Sequence, residues 1–345
     1  MREITVTRAE EGQRFDRYLI RYMPGITSGF LHKMLRKKNI KLNGGRASGS
    51  EKLQEGDRIQ IYFSDETLEK FTGQEERTAR RLSAEQKKLR REVRLLYATD
   101  DVLVFHKPAG MLTQKARQED DSLNDYLLDY CREHGMAGTE EKSVFRPSVA
   151  NRLDRNTSGI VLCGTTTAGL QMLSRLLWER SLEKYYLCIV CGQIRGSRKV
   201  KGWLVKDERR NTVTLRRTFM EGADPVETWY EALAVSAETT LLKVRLITGK
   251  SHQIRAHLAS EGHPVLGDYK YGNRQDNDRL KRATGIRYQM LHSSELRIPG
   301  QVESVPESMR GLRITDPPPE PFIQAMEYFG LTMEWDGGIQ DDGKQ

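Results

Sequence analysis

The hydrophobic positions of this chain fall mostly into short runs that predict strands, with fewer stretches at helical spacing. LLYATDDVLVFHKP predicts two strands around a TDD turn, and SGIVLCG, KYYLCIVCGQI, TWYEALAVSA and TTLLKVRLITG predict further strands. SLNDYLLDYCREHG, TTTAGLQMLSRLLWERS and HQIRAHLASEG have the pattern of helices. Because strands here often follow strands without an intervening helix, we predict an α+β fold. Its sheet should be mixed but largely antiparallel, with helices flanking it.

Residues 1–63 have a pattern of their own. In ITSGFLHKMLRKKNIKLNG, Leu31, Met34 and Leu35 have helical spacing behind Ser28, which we predict to be the N-cap. IKLNG then predicts a turn into a short strand, and EGDRIQIYF alternates apolar and polar residues with the period of a strand. We therefore predict a small α+β domain ahead of the larger one.

Positive charge is concentrated on the predicted helix of this domain. Lys33, Arg36 and Lys37 fall outside its apolar stripe, and no acidic residue lies between His32 and Lys41. The whole chain has a formal net charge of +8, so an anionic partner is favoured. The alternative is an ordinary solvated face, but the density of charge favours contact with nucleic-acid phosphates.

The remaining segments are polar. Residues 64–92 are rich in charge and poor in apolar side chains, which predicts a linker, part flexible and part exposed helix, with few contacts to the domain that follows. Residues 93–330 carry the strand-rich pattern, and residues 331–345 form a polar tail that we expect to be frayed. No apolar run approaches the ~20 residues of a membrane span, and the start has no signal-peptide pattern. We therefore expect a cytoplasmic protein.

Two sets of residues invite a metal-binding interpretation. Cys188 and Cys191 have CxxC spacing, but they lie in a predicted strand, where side chains three apart point to opposite faces. His252, His257 and His263 do not have the i, i+4 spacing of the HExxH zinc motif. We therefore expect no metal site.

The stretch NRLDRNTSG raises the possibility of a reactive carboxylate. It places Asp154 between Arg152 and Arg155, directly before the SGIVLCG strand. Neighbouring positive charge lowers the pKa of a carboxyl group, so Asp154 should be ionised and available as a nucleophile or base. A structural ion pair is the alternative. Its position at the entrance to a strand, where a cleft can form, favours the reactive interpretation.

Several motifs together resemble the RluA family of pseudouridine synthases. RLDRNTSGIVLCGTT is similar to the central motif of the family, KYYLCIVCG to its second and ITGKSHQIRAHLASEGHPVLGDYKYG to its third. VLVFHKPAGMLT and MLHSSEL match flanking segments, so the resemblance covers residues 94–300. The chain departs from the common family form at Asn151, where histidine is usual. The nucleophile is unaffected, but the contacts that this position makes with RNA are left open.

The N-terminal unit resembles the S-four-like RNA-binding domain. The matching pieces are RFDRYL, GITSGFLHKMLRKKNIKLNG and KLQEGDRIQIYF, which span most of residues 12–63. This resemblance implies binding to structured RNA, and it does not imply catalysis.

The family resemblance implies a role for each matched residue. Asp154 falls on the catalytic aspartate, Tyr186 on the active-site tyrosine and Arg255 on the arginine that pairs with the aspartate. Arg152 falls on the residue that helps displace the target base. Lys184, in the same motif as Tyr186, is expected among the RNA-contacting residues.

The physical requirements of the reaction agree with these roles. Converting uridine to pseudouridine oxidises nothing and imports no group, so no cofactor is expected. It needs a nucleophilic carboxylate, which Asp154 supplies, and a wall for the freed base, which Tyr186 supplies by stacking. Arg255 can fix Asp154 through a bidentate pair. Strand periodicity alone leaves Tyr185 and Tyr186 equally able to point inward, and attack on the base or on the sugar is equally compatible with the sequence.

We therefore predict an RNA pseudouridine synthase that acts as a monomer. Large-subunit ribosomal RNA is the favoured substrate, and transfer RNA is the alternative. A non-catalytic RNA-binding protein of ribosome assembly would keep this fold but lose the site residues. A metal-dependent nuclease would need a carboxylate cluster. The candidate cluster, QEDDS at residues 118–122, is predicted to be a loop and a helix start.

Overall fold

The chain forms two β-sheets with helices packed around them. A computed structural model describes residues 1–72, 82–117, 119–136, 144–207, 209, 212–333 and 340–341. Within these residues the strands are β1 (Arg2–Thr5), β2 (Ile40–Leu42), β3 (Arg58–Ile61), β4 (Arg94–Ala98), β5 (Val102–Lys107), β6 (Ser148–Val149), β7 (Ser158–Gly164), β8 (Glu183–Cys191), β9 (Ser197–Asp207), β10 (Thr212–Arg216), β11 (Asp224–Val235), β12 (Thr239–Leu246), β13 (Leu291–Arg297), β14 (Leu312–Thr315) and β15 (Gln340–Asp341). The α-helices are α1 (Phe15–Tyr22), α2 (Ser28–Arg36), α3 (Asp65–Thr72), α4 (Ala84–Glu92), α5 (Leu123–Glu133), α6 (Thr167–Trp178), α7 (Gln253–Ser260), α8 (Arg274–Thr284) and α9 (Glu320–Tyr328). None of these helices has the length and apolar character needed to cross a membrane.

The N-terminal unit is a small sheet covered by two helices. Its strands have the order β1-β3-β2 and pair antiparallel. Phe15, Leu19 and Leu31 from α1 and α2 are fully buried in its core. The helix α2 begins where the spacing predicts, but its N-cap is Thr27, whose hydroxyl accepts a hydrogen bond from an N–H in the first turn, and Ser28 is already helical.

The large sheet confirms the predicted fold class. Its main path is β10-β9-β11-β12-β8-β13-β7-β5-β4, with β6 on β7 and β14 and β15 continuing from β13. The pairs are antiparallel except for β13 with β7, which run parallel. The sheet is thus mixed but largely antiparallel. The strands β7 and β8 lie in its interior, so residues at their ends reach the centre of the molecule.

Both faces of the large sheet are covered. Helices α5 and α7 pack on one face, whereas α6 packs on the other, against β5 and β7. Cys188 and Cys191 belong to different hydrophobic clusters on opposite faces of β8, as strand alternation predicts. Burial on both faces explains why β8 is apolar along nearly its whole length.

The linker is attached to the large domain more firmly than its composition predicts. The helix α4 is exposed, but Arg90 donates hydrogen bonds to both carboxylate oxygens of Asp121 and to Asp129, at 2.7–2.9 Å. Leu89 also packs against the core of the large domain. The expectation of few contacts is therefore wrong for this helix. Residues 73–81 of the linker and most of the predicted tail, including residues 334–339 and 342–345, lie outside the described residues.

The N-terminal unit also contacts the large domain directly. The Glu10 carboxylate accepts a hydrogen bond from the backbone N–H of Val144 at 2.8 Å, and Thr167 donates to the carbonyl oxygen of Ala9 at 2.9 Å. Val144 packs into the N-terminal core itself. Since Glu10 is 2% exposed, this contact is a buried one. The two units are docked against each other through it.

Two histidines of the large domain are buried and neutral. His257 is 1% exposed and its Nδ1 lies 2.6 Å from the hydroxyl of Thr228. His292 is fully buried, with Nδ1 2.9 Å from the hydroxyl of Ser158. Burial lowers the pKa of each side chain to about 4.

We expect the protein to lose stability as the pH falls from 7 to 5. In the unfolded chain these histidines take up protons near pH ~6.5, whereas the folded protein keeps them neutral until about pH 4. The unfolded state therefore binds more protons in this window, and each histidine lowers the free energy of unfolding by up to ~1.4 kcal/mol per pH unit. Thermal denaturation at pH 7, 6 and 5 measures the loss. His257→Gln should show a shallower loss relative to its own value at pH 7, and an equal slope would contradict this explanation.

Candidate active site

Asp154 lies in the loop between β6 and β7, and its backbone is fixed on both sides. The Thr113 hydroxyl donates to the carbonyl oxygen of Leu153 at 2.8 Å and accepts from the N–H of Leu153 at 3.1 Å. The N–H of Thr157 donates to the carbonyl oxygen of Asp154 at 3.1 Å. The Asp154 side chain is 26% exposed. A rigid backbone thus presents a carboxylate that solvent can reach.

Lys107, which was not among the predicted site residues, supports this loop from inside. Its side chain is fully buried at the end of β5, and Nζ donates to the carbonyl oxygens of Pro108, Met111 and Arg155 at 2.8–3.2 Å. Burial lowers the pKa of this amine to about 7, although the charge of Asp154 opposes the shift. The lysine therefore ties the loop that follows Asp154 to the end of β5.

Arg255 joins Asp154 to a second carboxylate. Its Nη1 donates to Oδ2 of Asp154 at 2.6 Å, whereas Nε and Nη2 donate to the two oxygens of Asp268 at 2.7 and 2.9 Å. The bidentate pair that we expected with Asp154 is therefore formed with Asp268, which is 1% exposed. Burial opposes the charge of Arg255, but its bonds to Asp268 and Asp154 outweigh this and raise its pKa.

Tyr186 faces the same side of the sheet as the Asp154 cluster. It is 5% exposed and packs in the core cluster with Leu153 and Ile254. Burial raises the pKa of its hydroxyl to about 12, with Ser293 opposing and the charge of Asp154 adding to the shift. The phenol is thus protonated at neutral pH.

Tyr185 points to the other face of β8. Two cations lie over its ring, with Lys243 Nζ 4.8 Å and Arg297 Cζ 5.1 Å from the ring centroid, and its hydroxyl donates to Glu183. The choice between Tyr185 and Tyr186, which periodicity leaves open, thus falls on Tyr186 as the tyrosine that faces the cluster.

Tyr271 and His252 complete the surroundings of Asp154. The Arg255 guanidinium lies over the ring of Tyr271, with Cζ 5.0 Å from its centroid. The Tyr271 hydroxyl is 2.8 Å from Nδ1 of His252, whose Nε2 lies 3.8 Å from Oδ1 of Asp154. The sequence suggested His252 only as a metal ligand. Asp268 and Tyr271 were not predicted, although both lie in the stretch GDYKYG of the third motif.

Arg152 and Lys184 are the remaining predicted site residues of the large domain. Arg152 is exposed two positions before Asp154 and makes no ion pair with another described residue. Lys184 is on the same face of β8 as Tyr186. Its Nζ lies close to Gly249, so that a Cβ added to that glycine would be 3.3 Å away. Burial, helped by the charge of a neighbouring arginine, lowers the pKa of Lys184. Among the described residues, neither Arg152 nor Lys184 has a hydrogen bond or an ion pair with Asp154.

Asn151 has a structural contact in this chain. Its side-chain oxygen accepts a hydrogen bond from the backbone N–H of Leu162 at 2.7 Å. Asn151, which replaces the usual histidine of the family, therefore attaches the loop that carries Asp154 to strand β7.

The three predicted RNA-contacting residues of the N-terminal unit are separate from the cluster. Lys33, Arg36 and Lys37 are exposed on α2 and its C-terminal end. The structure therefore has two regions of predicted function, the cluster around Asp154 and a basic face on the N-terminal unit.

The carboxylates weighed for a nuclease are engaged elsewhere. Asp121 pairs with Arg90, and Ser122 is the N-cap of α5, as the predicted helix start requires. Residue 118 lies outside the described residues. Among the described residues, no three His, Cys, Asp or Glu side chains are grouped closely enough to hold a metal ion.

Comparisons with known proteins agree on one family. The model of the RNA pseudouridylate synthase family matches residues 101–260. Ribosomal large subunit pseudouridine synthase C of Escherichia coli K12 is 30% identical over 296 residues, which are 85% of this chain and 87% of that protein. The protein of the same name from Haemophilus influenzae is 28% identical over 300 residues, which are 85% of this chain and 86% of that protein.

Solved structures support the fold. Human RNA Pseudouridylate Synthase Domain Containing 4 has a TM-score of 0.56 at 21% identity, covering 72% of this chain and 96% of that chain. Human RNA Pseudouridylate Synthase Domain Containing 1 has a TM-score of 0.50 at 22% identity, covering 72% of this chain and 98% of that chain. Sequence and fold thus agree: the chain belongs to the RluA family of RNA pseudouridine synthases, which are RNA isomerases.

Proposed function

We propose that the protein converts specific uridines of large-subunit ribosomal RNA to pseudouridine, with Asp154 as the nucleophile. The names of the sequence relatives support the choice of RNA. One observation carries the role of Asp154. Its carboxylate is 26% exposed and is held by the nearly buried Arg255 on the face that also carries Tyr186. An oriented and accessible carboxylate is what nucleophilic catalysis requires.

The target uridine must leave its helix before it can reach this carboxylate. Asp154 then attacks the base or the sugar, and the bond between N1 of uracil and C1′ of ribose breaks. The freed base turns, its C5 bonds to C1′, and the proton on C5 moves to N1. Asp154 is released unchanged, and the product is an isomer of the starting uridine, so the reaction needs no cofactor. We propose that the Tyr186 ring is the surface against which the base turns.

Arg152 and Lys184 are proposed to contact the RNA around the flipped uridine. Arg152 is exposed beside Asp154, and its long planar side chain can fill the gap that the base leaves in the helix. Lys184 lies on the strand that carries Tyr186 and can contact a backbone phosphate. We further propose that the protein acts as a cytoplasmic monomer.

The N-terminal unit is proposed to be an S-four-like domain that binds structured RNA. The exposed Lys33, Arg36 and Lys37 supply cations for phosphates. Arg36 also lines a groove of about 630 Å³, together with His32 and Arg46. Because this unit is docked on the large domain, RNA bound there would lie at a set distance from Asp154.

Replacing Lys33, Arg36 and Lys37 together by glutamine should weaken RNA binding and flatten its dependence on salt. Fewer cations displace fewer counterions, so the slope of log affinity against log salt should fall by about 2. The exposed positions predict an unchanged melting temperature. Binding to a ribosomal RNA fragment at several salt concentrations measures the slope. Replacing Lys87, Lys88 and Arg91 on the exposed helix α4 by glutamine removes the same charge elsewhere. An equal effect of both triple variants would show that net charge alone matters.

The proposed reaction is tested by incubating the protein with a transcript of large-subunit ribosomal RNA and mapping pseudouridine, with and without a chelator. We expect pseudouridine at defined positions in both conditions. Binding without isomerisation would indicate a non-catalytic RNA-binding protein. Chelator-sensitive cleavage of the transcript would indicate a nuclease. Reaction with transfer RNA but not with this transcript would show that transfer RNA is the substrate, and the proposed isomerisation would still hold.

A further inference from the structure

His252 adopts a strained backbone conformation next to Asp154. Its φ of 54° and ψ of 15° lie in the left-handed region, which residues other than glycine seldom adopt. It is the N-cap residue of α7, although its side chain makes no capping hydrogen bond. The side chain instead lies beside Asp154, with Nε2 3.8 Å from Oδ1. Strain of this kind persists where surrounding contacts enforce it, often at functional sites.

The contacts of Tyr271 favour one of the two tautomers of His252. The Tyr271 hydroxyl accepts a hydrogen bond from the backbone N–H of Val213 at 2.8 Å and lies 2.8 Å from Nδ1 of His252. It has no other hydrogen-bonding partner among the described residues. Because Val213 already donates to the hydroxyl oxygen, the phenol hydrogen has Nδ1 as its acceptor, and this arrangement favours the tautomer with the imidazole hydrogen on Nε2. This N–H is then on the side of the negative Asp154, where the other tautomer would place a lone pair.

We propose that His252 is a positioning residue whose Nε2–H orients the Oδ1 oxygen of Asp154, while Arg255 holds Oδ2. The two oxygens then have different neighbours, and rotation of the carboxylate is restricted. The distance of 3.8 Å is longer than a hydrogen bond, so Oδ1 stays available to the substrate. This inference rests on the proposed function, in which Asp154 is the reacting group.

The charges that face His252 are compatible with a neutral donor. Burial lowers its pKa, and the charge of Asp154 opposes this. Arg255 and Lys270 lower the pKa further, while Asp268 opposes them. A neutral imidazole can orient Asp154 without forming the full ion pair that would make the carboxylate less nucleophilic.

The catalytic part of the inference is tested with two variants at one position. His252→Gly removes the donor and relieves the backbone strain, so the fold should be retained. Its single-turnover rate on the ribosomal RNA transcript should fall by about tenfold, because a misdirected reacting group slows the chemical step. The dissociation constant for RNA should stay within about twofold, since affinity is spread over many phosphates. His252→Gln places an amide N–H near the position of Nε2 and should recover part of the rate.

His263→Gln is the matched control, because His263 follows the other end of α7 and its Nδ1 contacts the carbonyl oxygen of Cys191. It should react at the rate of the parent protein. A parent-like rate in His252→Gly would overturn the proposal. So would a His252→Gln variant no faster than His252→Gly.

The tautomer is tested without RNA, so this arm does not depend on the proposed function. Nitrogen-15 NMR of histidine-labelled protein distinguishes a protonated Nε2 from a protonated Nδ1. We expect His252 to carry its hydrogen on Nε2 in the parent protein. Tyr271→Phe, which removes the donor to Nδ1, should shift His252 toward a mixture of tautomers. A hydrogen on Nδ1 in the parent, or an unchanged His252 signal in Tyr271→Phe, would overturn the assignment.

Discussion

Asp154→Asn should form no measurable pseudouridine while it binds RNA nearly as well as the parent protein. The amide keeps the size and shape of the side chain but is a far poorer nucleophile, so a loss of more than about 1000-fold in turnover is expected. Affinity should change little, because phosphate contacts are distributed over the whole RNA-binding surface. Single-turnover assays and binding measurements on the same transcript separate the two effects.

Asp100→Asn is a suitable control for this substitution. Asp100 is a carboxylate on the surface of the same domain, 83% exposed and 3.6 Å from Arg8. It should retain the activity of the parent protein. Activity of Asp154→Asn within about tenfold of the parent would remove Asp154 from the role of nucleophile.

Arg255→Lys should lose about 100-fold in turnover although the positive charge is retained. The guanidinium serves two carboxylates at once, with two donors to Asp268 and one to Asp154. A lysine amine is a single point and cannot reproduce this planar fork. A cation would still lie near Asp154, but the direction of its carboxylate would no longer be fixed. The defect should therefore appear in the rate of a single turnover more than in RNA affinity.

Two further variants show whether geometry is the cause. Arg175→Lys changes an exposed arginine on α6 and should have no effect. Asp268→Asn keeps the shape of the side chain but removes the charge and one of the two oxygens that accept from Arg255. It should therefore reduce the rate although Asp154 itself is unchanged. Unchanged rates in both Arg255→Lys and Asp268→Asn would show that the fork is not needed for the reaction.

The sequence predicts the central strands, but it does not predict which of their side chains point to each face of the sheet. The apolar run of β8 indicated a buried strand, and the structure confirms it. Alternation distinguishes the two faces of a strand only when one face meets solvent. Both faces of β8 are covered, Tyr186 by the core cluster and Tyr185 by Lys243 and Arg297. Only the tertiary structure could therefore choose between the tyrosines.

The candidate site was predictable where local motifs describe it and not where distant segments meet. Asp154 and Arg255 were selected from their motifs, although 101 residues separate them, and the structure brings them together at 2.6 Å. The motifs carried no information about how the donors of Arg255 are shared. Its bidentate partner is Asp268 because the turn after α7 directs that buried carboxylate at the fork. The expectation of a bidentate pair with Asp154 was wrong because it considered only one carboxylate as a partner of Arg255.

The firm attachment of α4 is another feature that composition could not predict. Its sequence AEQKKLRRE has the charge of a solvated helix, and the helix buries no residue fully. Arg90 nevertheless binds two carboxylates of the large domain, which lie 31 and 39 residues away along the chain. Charge density alone does not distinguish a solvated arginine from one that meets such partners after folding.

Pseudouridine maps of ribosomal RNA from cells that lack this gene test the central claim most directly. We expect at least one position of large-subunit ribosomal RNA to lose its pseudouridine when the gene is deleted. A plasmid that encodes the parent protein should restore the modification, and one that encodes Asp154→Asn should not, at equal protein levels. An unchanged ribosomal RNA map in the deletion strain, or full restoration by Asp154→Asn, would contradict the account.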